Sequence, residues 1–326
     1  MFSNIEISNY RCFKKVDAPL RPLTVLIGEN DTGKSSFLRA FDLFDLSNGR
    51  LNIGDFFNYD LEHDIEVKIS TISARDSVSF SRLTHPSLRS RLLLDNSGDY
   101  SIIQEMLPFS SFSLPVQGAS MVSVGASDAE GAPQLGPDGS GVPALLDYFL
   151  RRDRSRFFQL IDTLKSLIPG LGDIEITTPD ASQRCLGLIL ENGLRLPADR
   201  ASAGVRLLLF FVSLTFHPTP PRLILIEEPE TGVHPKRLAN IVALLRKITQ
   251  GMHGTHPAQV ILTTHSPYLL DSIDPTVDQV LVFRREPDGS RSVKPVDVEG
   301  LKEFLDDFML GEVWFNVGED GLVAKH

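Results

Sequence analysis

Three short stretches concentrate the residues able to do chemistry. The first, GENDTGKSS at 28–36, sets Gly28, four residues, then Gly33, Lys34 and Ser35 between the apolar run LTVLI and the amphipathic SSFLRAFDLFDL. Strand, glycine turn and helix in that order make a phosphate cradle. Glycines let the backbone close around an anion, so that N–H groups from Asn30, Asp31, Thr32, Gly33, Lys34, Ser35 and Ser36 face it, and the helix N-terminus adds about half a positive charge. Lys34 would pair with the terminal phosphates and the Ser35 hydroxyl would hold Mg²⁺. A turn whose glycines served geometry alone would have no use for the Lys-Ser pair, so ATP and Mg²⁺ are the expected ligands.

The second stretch, RLILIEEPETGVHP, runs four apolar residues, Leu223 to Ile226, into Glu227 and Glu228. Carboxylates at the carboxyl end of a buried strand stand at the mouth of an α/β sheet, where ligands bind. Glu227 would hold Mg²⁺ directly or through water, and Glu228 would orient or deprotonate an attacking water. Two adjacent carboxylates repel, which is tolerable mainly beside a cation. In the third stretch, VILTTHSPYLL, an apolar strand passes through two threonines to His265, placed to hydrogen-bond the γ-phosphate and the water. His253 and His256 in GMHGTH have no third ligand nearby and are not read as a metal pair.

These residues need a scaffold, and the sequence describes one. NIEISNYRCF alternates as a strand, as does 64–72, and SGDYSIIQEM is a further candidate. Residues 108–143 are rich in Gly, Ser, Pro and Ala and read as long loops with short strands. From Ala144 to Leu167 the apolar spacing predicts one helix or two, stopped by PGLG; GDIEITTPD and CLGLILENGLRLPA follow as strands, the latter folded at ENG. Helices from about Ala203 to Thr215 and Pro235 to Gln250 then alternate with RLILIEE, QVILTTH and QVLVFRRE, which predicts an α/β core with a mainly parallel sheet.

The 326 residues are 42% hydrophobic and 23% charged, enough for a large core. Their net charge of −10 argues against a dominant nucleic-acid surface. No run of eighteen apolar residues and no secretory pattern at the start are visible, and Cys12 and Cys185 are too few for a disulfide framework. A cytoplasmic chain without a membrane partner is therefore expected.

Taken in order, GENDTGKSS, LILIEEPETGVHP and ILTTHSPYLL resemble the ABC-type ATPases of the RecF, SMC and OLD group, especially stand-alone ATPases related to OLD-family proteins. The resemblance implies a P-loop NTPase fold: an ABC-ATPase head with an antiparallel β subdomain and a helical signature lobe. It divides a single 1–326 domain into an N-terminal part (1–82), a loop-rich insertion (83–143), a signature lobe with a β hairpin (144–215) and a C-terminal part (216–326). NYRCFKK is similar to the family's opening strand, which implies that Arg11 lies near the nucleotide. DRASAGVRLLLFF matches the signature turn, so that Ser202 and Gly204 would touch ATP held by a second copy in a homodimer closed on nucleotide. Ala201 and Ala203 depart from that pattern, and a plain helix cap is the competing reading of Ser202. The glutamine-loop residue has no clear counterpart; Asp55 and His63 are the candidates.

No coiled coil interrupts the chain, and about forty residues follow the last core strand, too few for a TOPRIM nuclease domain. The reading is thus a Mg²⁺-dependent ATPase working in DNA repair or phage defence with an effector such as a nuclease. A non-hydrolysing, ATP-gated scaffold is the alternative. DNA is a further candidate partner through RRDRSR at 151–156, with Arg82, Arg89 and Arg91.

Overall fold

The computed structural model describes the chain except for residues 45–50, 73–76, 86, 88–89, 96–109, 113–121, 125–130, 137, 180–182 and 325–326. In chain order the elements are β1 (Phe2–Tyr10), β2 (Phe13–Pro19), β3 (Leu23–Gly28), α1 (Lys34–Asp42), β4 (Ile65–Ile72), β5 (Ser77–Thr84), β6 (Ser90–Asp95), β7 (Ser110–Phe112), β8 (Val122–Val124), α2 (Val142–Arg152), α3 (Arg154–Leu167), β9 (Leu171–Thr177), β10 (Gln183–Leu190), β11 (Arg195–Pro197), α4 (Ala203–Phe216), β12 (Leu223–Glu227), α5 (Leu238–Thr249), β13 (Gln259–Thr263), α6 (Pro267–Leu270), β14 (Gln279–Arg285), β15 (Arg291–Pro295), α7 (Lys302–Asp307) and α8 (Leu310–Gly321). They form two compact units: Met1–Ser111 with Pro221–Glu228 and Gln259–His326, and Phe112–Pro220 with Pro229–Ala258.

The first unit holds two sheets. One is a five-stranded antiparallel sheet in the order β2-β1-β4-β5-β6. The other has six strands in the order β15-β14-β3-β13-β12-β7, and within it β14, β3, β13 and β12 run parallel. The continuous apolar runs of the sequence became these central strands because both of their faces are covered: β3 and β13 are buried throughout and β12 up to Ile226. Helix α1 buries Phe37, Leu38, Ala40 and Phe41 in the same core, and the Phe37 ring meets Phe283 of β14 edge to face at 5.4 Å. Gln259 is 1% exposed, and its amide takes the Phe2 N–H at 2.8 Å and gives N–H bonds to the carbonyls of Phe2 and Arg21. That buried amide fastens the first strand to the start of β13.

In the second unit β10 pairs antiparallel with β8, β9 and β11, and the turn after β10 is closed by the Leu190 N–H on the Leu194 carbonyl, with Gly193 at φ 83°. The 144–167 segment is two helices. Asp153 leaves helical geometry (φ −143°, ψ 74°) and its carboxylate accepts the Arg156 N–H, capping α3. Helix α4 is predominantly apolar and is buried continuously from Leu207 to Phe216, as the central helix of a bundle must be. Arg156 donates to the carbonyls of Phe216 and His253, and Arg151 pairs with Asp147, so part of the RRDRSR run serves internal contacts. Arg82, in the first unit, is 8% exposed, whereas Arg89 lies outside the described residues. SGDYSIIQEM and much of the 108–143 stretch also lie outside them; β7 and β8 are short strands within that stretch.

Candidate functional site

The carboxyl ends of β3, β12 and β13 lie side by side in the first unit, and the phosphate-loop residues, Glu228 and His265 gather there. At Gly28 (φ 140°) an added Cβ would stand 2.3 Å from the Phe283 carbonyl oxygen of the adjoining strand β14, so only glycine lets β3 turn into the loop at this point. Gly33 (φ 105°) is equally constrained: its Cβ would fall 2.7 Å from both Cys12 Sγ and Phe13 Cζ. Between them Thr32 Oγ1 donates to the Glu29 carbonyl at 2.7 Å, and Asp31 sits at φ 61° with its carbonyl taking Arg291 Nε–H at 3.0 Å. Lys34, 6% exposed, donates from Nζ to the carbonyls of Gly28 (2.8 Å) and Glu29 (2.7 Å). Helix α1 starts at Lys34, so its positive N-terminal end opens at the loop.

On the acidic side, Glu227 stands in register with Thr263, which is in register with Leu26 of β3. Glu228 takes φ 46°, a backbone conformation that side chains disfavour, and its N–H donates to both Thr263 O and Thr263 Oγ1 at 3.1 Å. Its Oε1 lies 3.7 Å from His265 Nε2. Burial, then the nearby Lys34 ammonium, push the His265 pKa below its ordinary value, against opposing pulls from Glu228 and Glu319. Those causes favour the uncharged imidazole, which weakens its attraction to Glu228.

Asn30, Asp31, Gly33, Lys34, Ser35, Ser36, Glu228 and His265 line one cleft of about 350 Å³, together with Cys12 and Thr263. Gly28 and Thr32 are buried in the loop that shapes it. Glu227 is half-buried at the strand end and is not among the lining residues. Arg11 is not either: its N–H donates to the Asp55 carbonyl at 2.6 Å and its Nε to Asp55 Oδ1 at 3.0 Å, while its guanidinium lies over the Tyr10 ring. Asp55 is thus the partner of Arg11, and His63 is paired with Asp60. Ser202 and Gly204 belong to the second unit, where Ser202 caps α4 by accepting the Val205 N–H at 3.4 Å. Sequence reading did not mark Cys12, Thr263 or Arg291. Thr263 carried a signal, a hydroxyl at the end of an apolar strand; Arg291, 260 residues from the carbonyl it holds, carried none.

The residues present suit a nucleotide with magnesium. A loop with two glycines that no Cβ can replace is a cradle for an anion. Ser35 and the paired glutamates are hard oxygen donors. No group of three His, Cys, Asp or Glu positioned to hold a metal occurs among the described residues, and Mg²⁺ commonly uses one or two protein carboxylates and completes its shell with phosphate and water.

The family described as "AAA ATPase domain" matches residues 1–84, which include the phosphate loop, and "AAA domain, putative AbiEii toxin, Type IV TA system" matches 123–271, which include the acidic strand and His265. An OLD nuclease of Thermus scotoductus is 36% identical over 75 residues, 21% of this chain; the match spans only 14% of that protein's length. Among solved structures, an Smc head bound to the C-winged helix domain of ScpA superposes with a TM-score of 0.65 at 16% identity, covering 93% of this chain and 99% of the other. A Pyrococcus furiosus Smc head bound to the C-terminal domain of ScpA gives 0.64 at 13% identity (94% and 98% covered), and the SMC head of Thermotoga maritima 0.57 at 12% (91% and 99%). The fold is that of an SMC-type ABC-ATPase head, and the resemblance to the RecF, SMC and OLD group rests on fold and motifs together. Among the described residues no helix is long and apolar enough to cross a membrane.

Proposed function

We propose that the chain is a Mg²⁺-dependent ATPase that works as a nucleotide-gated homodimer. The observation that carries this reading is the cleft in which Lys34, Ser35, Glu228 and His265 stand together. The triphosphate binds the amides of the phosphate loop, and Lys34 exchanges the Gly28 and Glu29 carbonyls for phosphate oxygens. Ser35 and Glu227 would hold Mg²⁺, which supplies neutralisation of phosphate charge. Glu228 orients a water and takes its proton, while His265 hydrogen-bonds the phosphate side. Ser202 and Gly204 present the N-terminus of α4 to nucleotide on the second copy.

The likeness to an OLD nuclease and to a family named for a toxin–antitoxin system supports a role in phage defence or DNA repair, and Smc heads solved with bound ScpA support an effector protein as partner. DNA remains part of the proposal through the basic residues of α2 and α3. The test is Glu228→Gln. ATP affinity should stay within about twofold, single-turnover hydrolysis should fall about a hundredfold or more, and ATP should shift the variant to a dimer in light scattering. Hydrolysis at the wild-type rate would remove Glu228 from the chemistry. A wild-type protein that left ATP intact for hours would be a gated scaffold instead.

A further inference from the structure

We propose that Thr263 is a positioning residue for hydrolysis, its hydroxyl anchoring the peptide unit from which Glu228 projects its carboxylate into the cleft. The inference deepens the ATPase reading and rests on it. A glutamate at φ 46° is unfavourable because its Cβ crowds its own backbone, so the conformation persists only where the adjoining peptides are firmly held. Pro229 follows directly and disfavours right-handed helical geometry at Glu228, which leaves the extended conformation as the competitor. Leaving φ 46° would swing the carboxylate away from its present place 3.7 Å from His265.

The peptide leading into Glu228 is held by one donor meeting two acceptors. The Glu228 N–H points at Thr263 O and Thr263 Oγ1, each at 3.1 Å. The carbonyl would be there whatever side chain stood at 263; the hydroxyl is what threonine adds. It is also fixed in place. Thr263 is 2% exposed, ends a strand that is buried throughout, and sits in register between Glu227 on one neighbouring strand and Leu26 of the phosphate-loop strand on the other. Branching at Cβ restricts χ1 further, so Oγ1 has little freedom to leave the N–H. The next residue uses the same device: Thr264, fully buried, accepts the Ser266 N–H on its Oγ1 at 3.0 Å. The two threonine hydroxyls thus hold the backbone on both sides of the chemistry, Thr263 at the acid and Thr264 just past His265.

The experiment compares Thr263→Val, which keeps shape and branching but removes the acceptor, with Thr263→Ser, which keeps the acceptor. With wild-type hydrolysis first established, Thr263→Val is expected to lower kcat about tenfold, the worth of one hydrogen bond. ATP affinity and KM should stay within about twofold, because the phosphate loop is untouched. Thr263→Ser should recover kcat to within about twofold of wild type. In a Glu228→Gln background Thr263→Val should cause no further loss in single-turnover rate, since the group being aimed is gone. Wild-type kcat in Thr263→Val, a loss that Thr263→Ser shares, or an undiminished loss in the Glu228→Gln background would each overturn the proposal. A wild-type protein that does not hydrolyse ATP would instead refute the reading beneath it, and the proposal with it.

Discussion

Replacing Gly28 by alanine isolates the close approach that shapes the phosphate loop. Two penalties act. The positive φ of 140° is disfavoured for any residue with a Cβ, at about 1–2 kcal/mol. The new methyl would also stand 2.3 Å from the Phe283 carbonyl oxygen, where carbon–oxygen contacts normally lie at about 3.3–3.6 Å, so β3 and β14 must part by about 1 Å. Forcing backbone apart in a packed core adds about 1–3 kcal/mol. Gly289, in the turn between β14 and β15, provides the control: its φ is 84° but an added Cβ meets nothing within 4 Å, so only the first penalty applies. At about 2–4 °C per kcal/mol for a unit of this size, Gly289→Ala should lower Tm by about 4 °C and Gly28→Ala by about 10 °C. Thermal melts without nucleotide, followed by circular dichroism, measure both. Equal shifts for the two variants would refute the close approach, and with it the reason glycine is required at position 28.

Two further outcomes follow from the same geometry. Lys34→Ala should weaken ATP binding about ten- to a hundredfold by calorimetry, the loss of a charged hydrogen-bond donor to phosphate, and an unchanged affinity would place the triphosphate elsewhere. Acid should destabilise the second unit through His217. This residue is 1% exposed, with Nε2 3.0 Å from the Pro133 carbonyl and Nδ1 accepting the Thr219 N–H, a set of bonds that only the neutral ring makes. Burial holds its pKa below the ordinary value. The unfolded chain therefore binds a proton near pH 6.5 that the folded one refuses, and stability is lost as pH falls through that range. Tm should drop between about pH 7.5 and 5.5, less steeply in His217→Gln; a Tm that rose on acidification would contradict the assignment.

The legible parts of the site were the local ones. GENDTGKSS carries its own strand, turn and helix within a few residues, and the buried runs before Glu227 and His265 needed no partner to be recognised as strands. What escaped depends on contacts far apart in sequence, such as Gln259 on Phe2 or Arg291 on Asp31. Strand β5 escaped because Ser81, Arg82 and Thr84 are all buried, which breaks the alternation of apolar and polar faces on which strand reading depends. Strand β15 is short, rich in charge and ends in Pro295, as an edge strand can. The position of Arg11 followed from resemblance alone, and in this structure Asp55 holds it.

The sheet order fixes when the nucleotide site can come into being. Strand β3 is complete by Gly28, yet its two neighbours are β13 and β14, which begin at Gln259 and Gln279. While the ribosome is still making the intervening residues, the phosphate-loop strand has no sheet to join, whereas α2, α3 and α4 can pack among themselves as soon as they emerge. A chain broken off before about residue 258 would thus carry every residue of the loop and still lack both strands that flank β3 in the sheet.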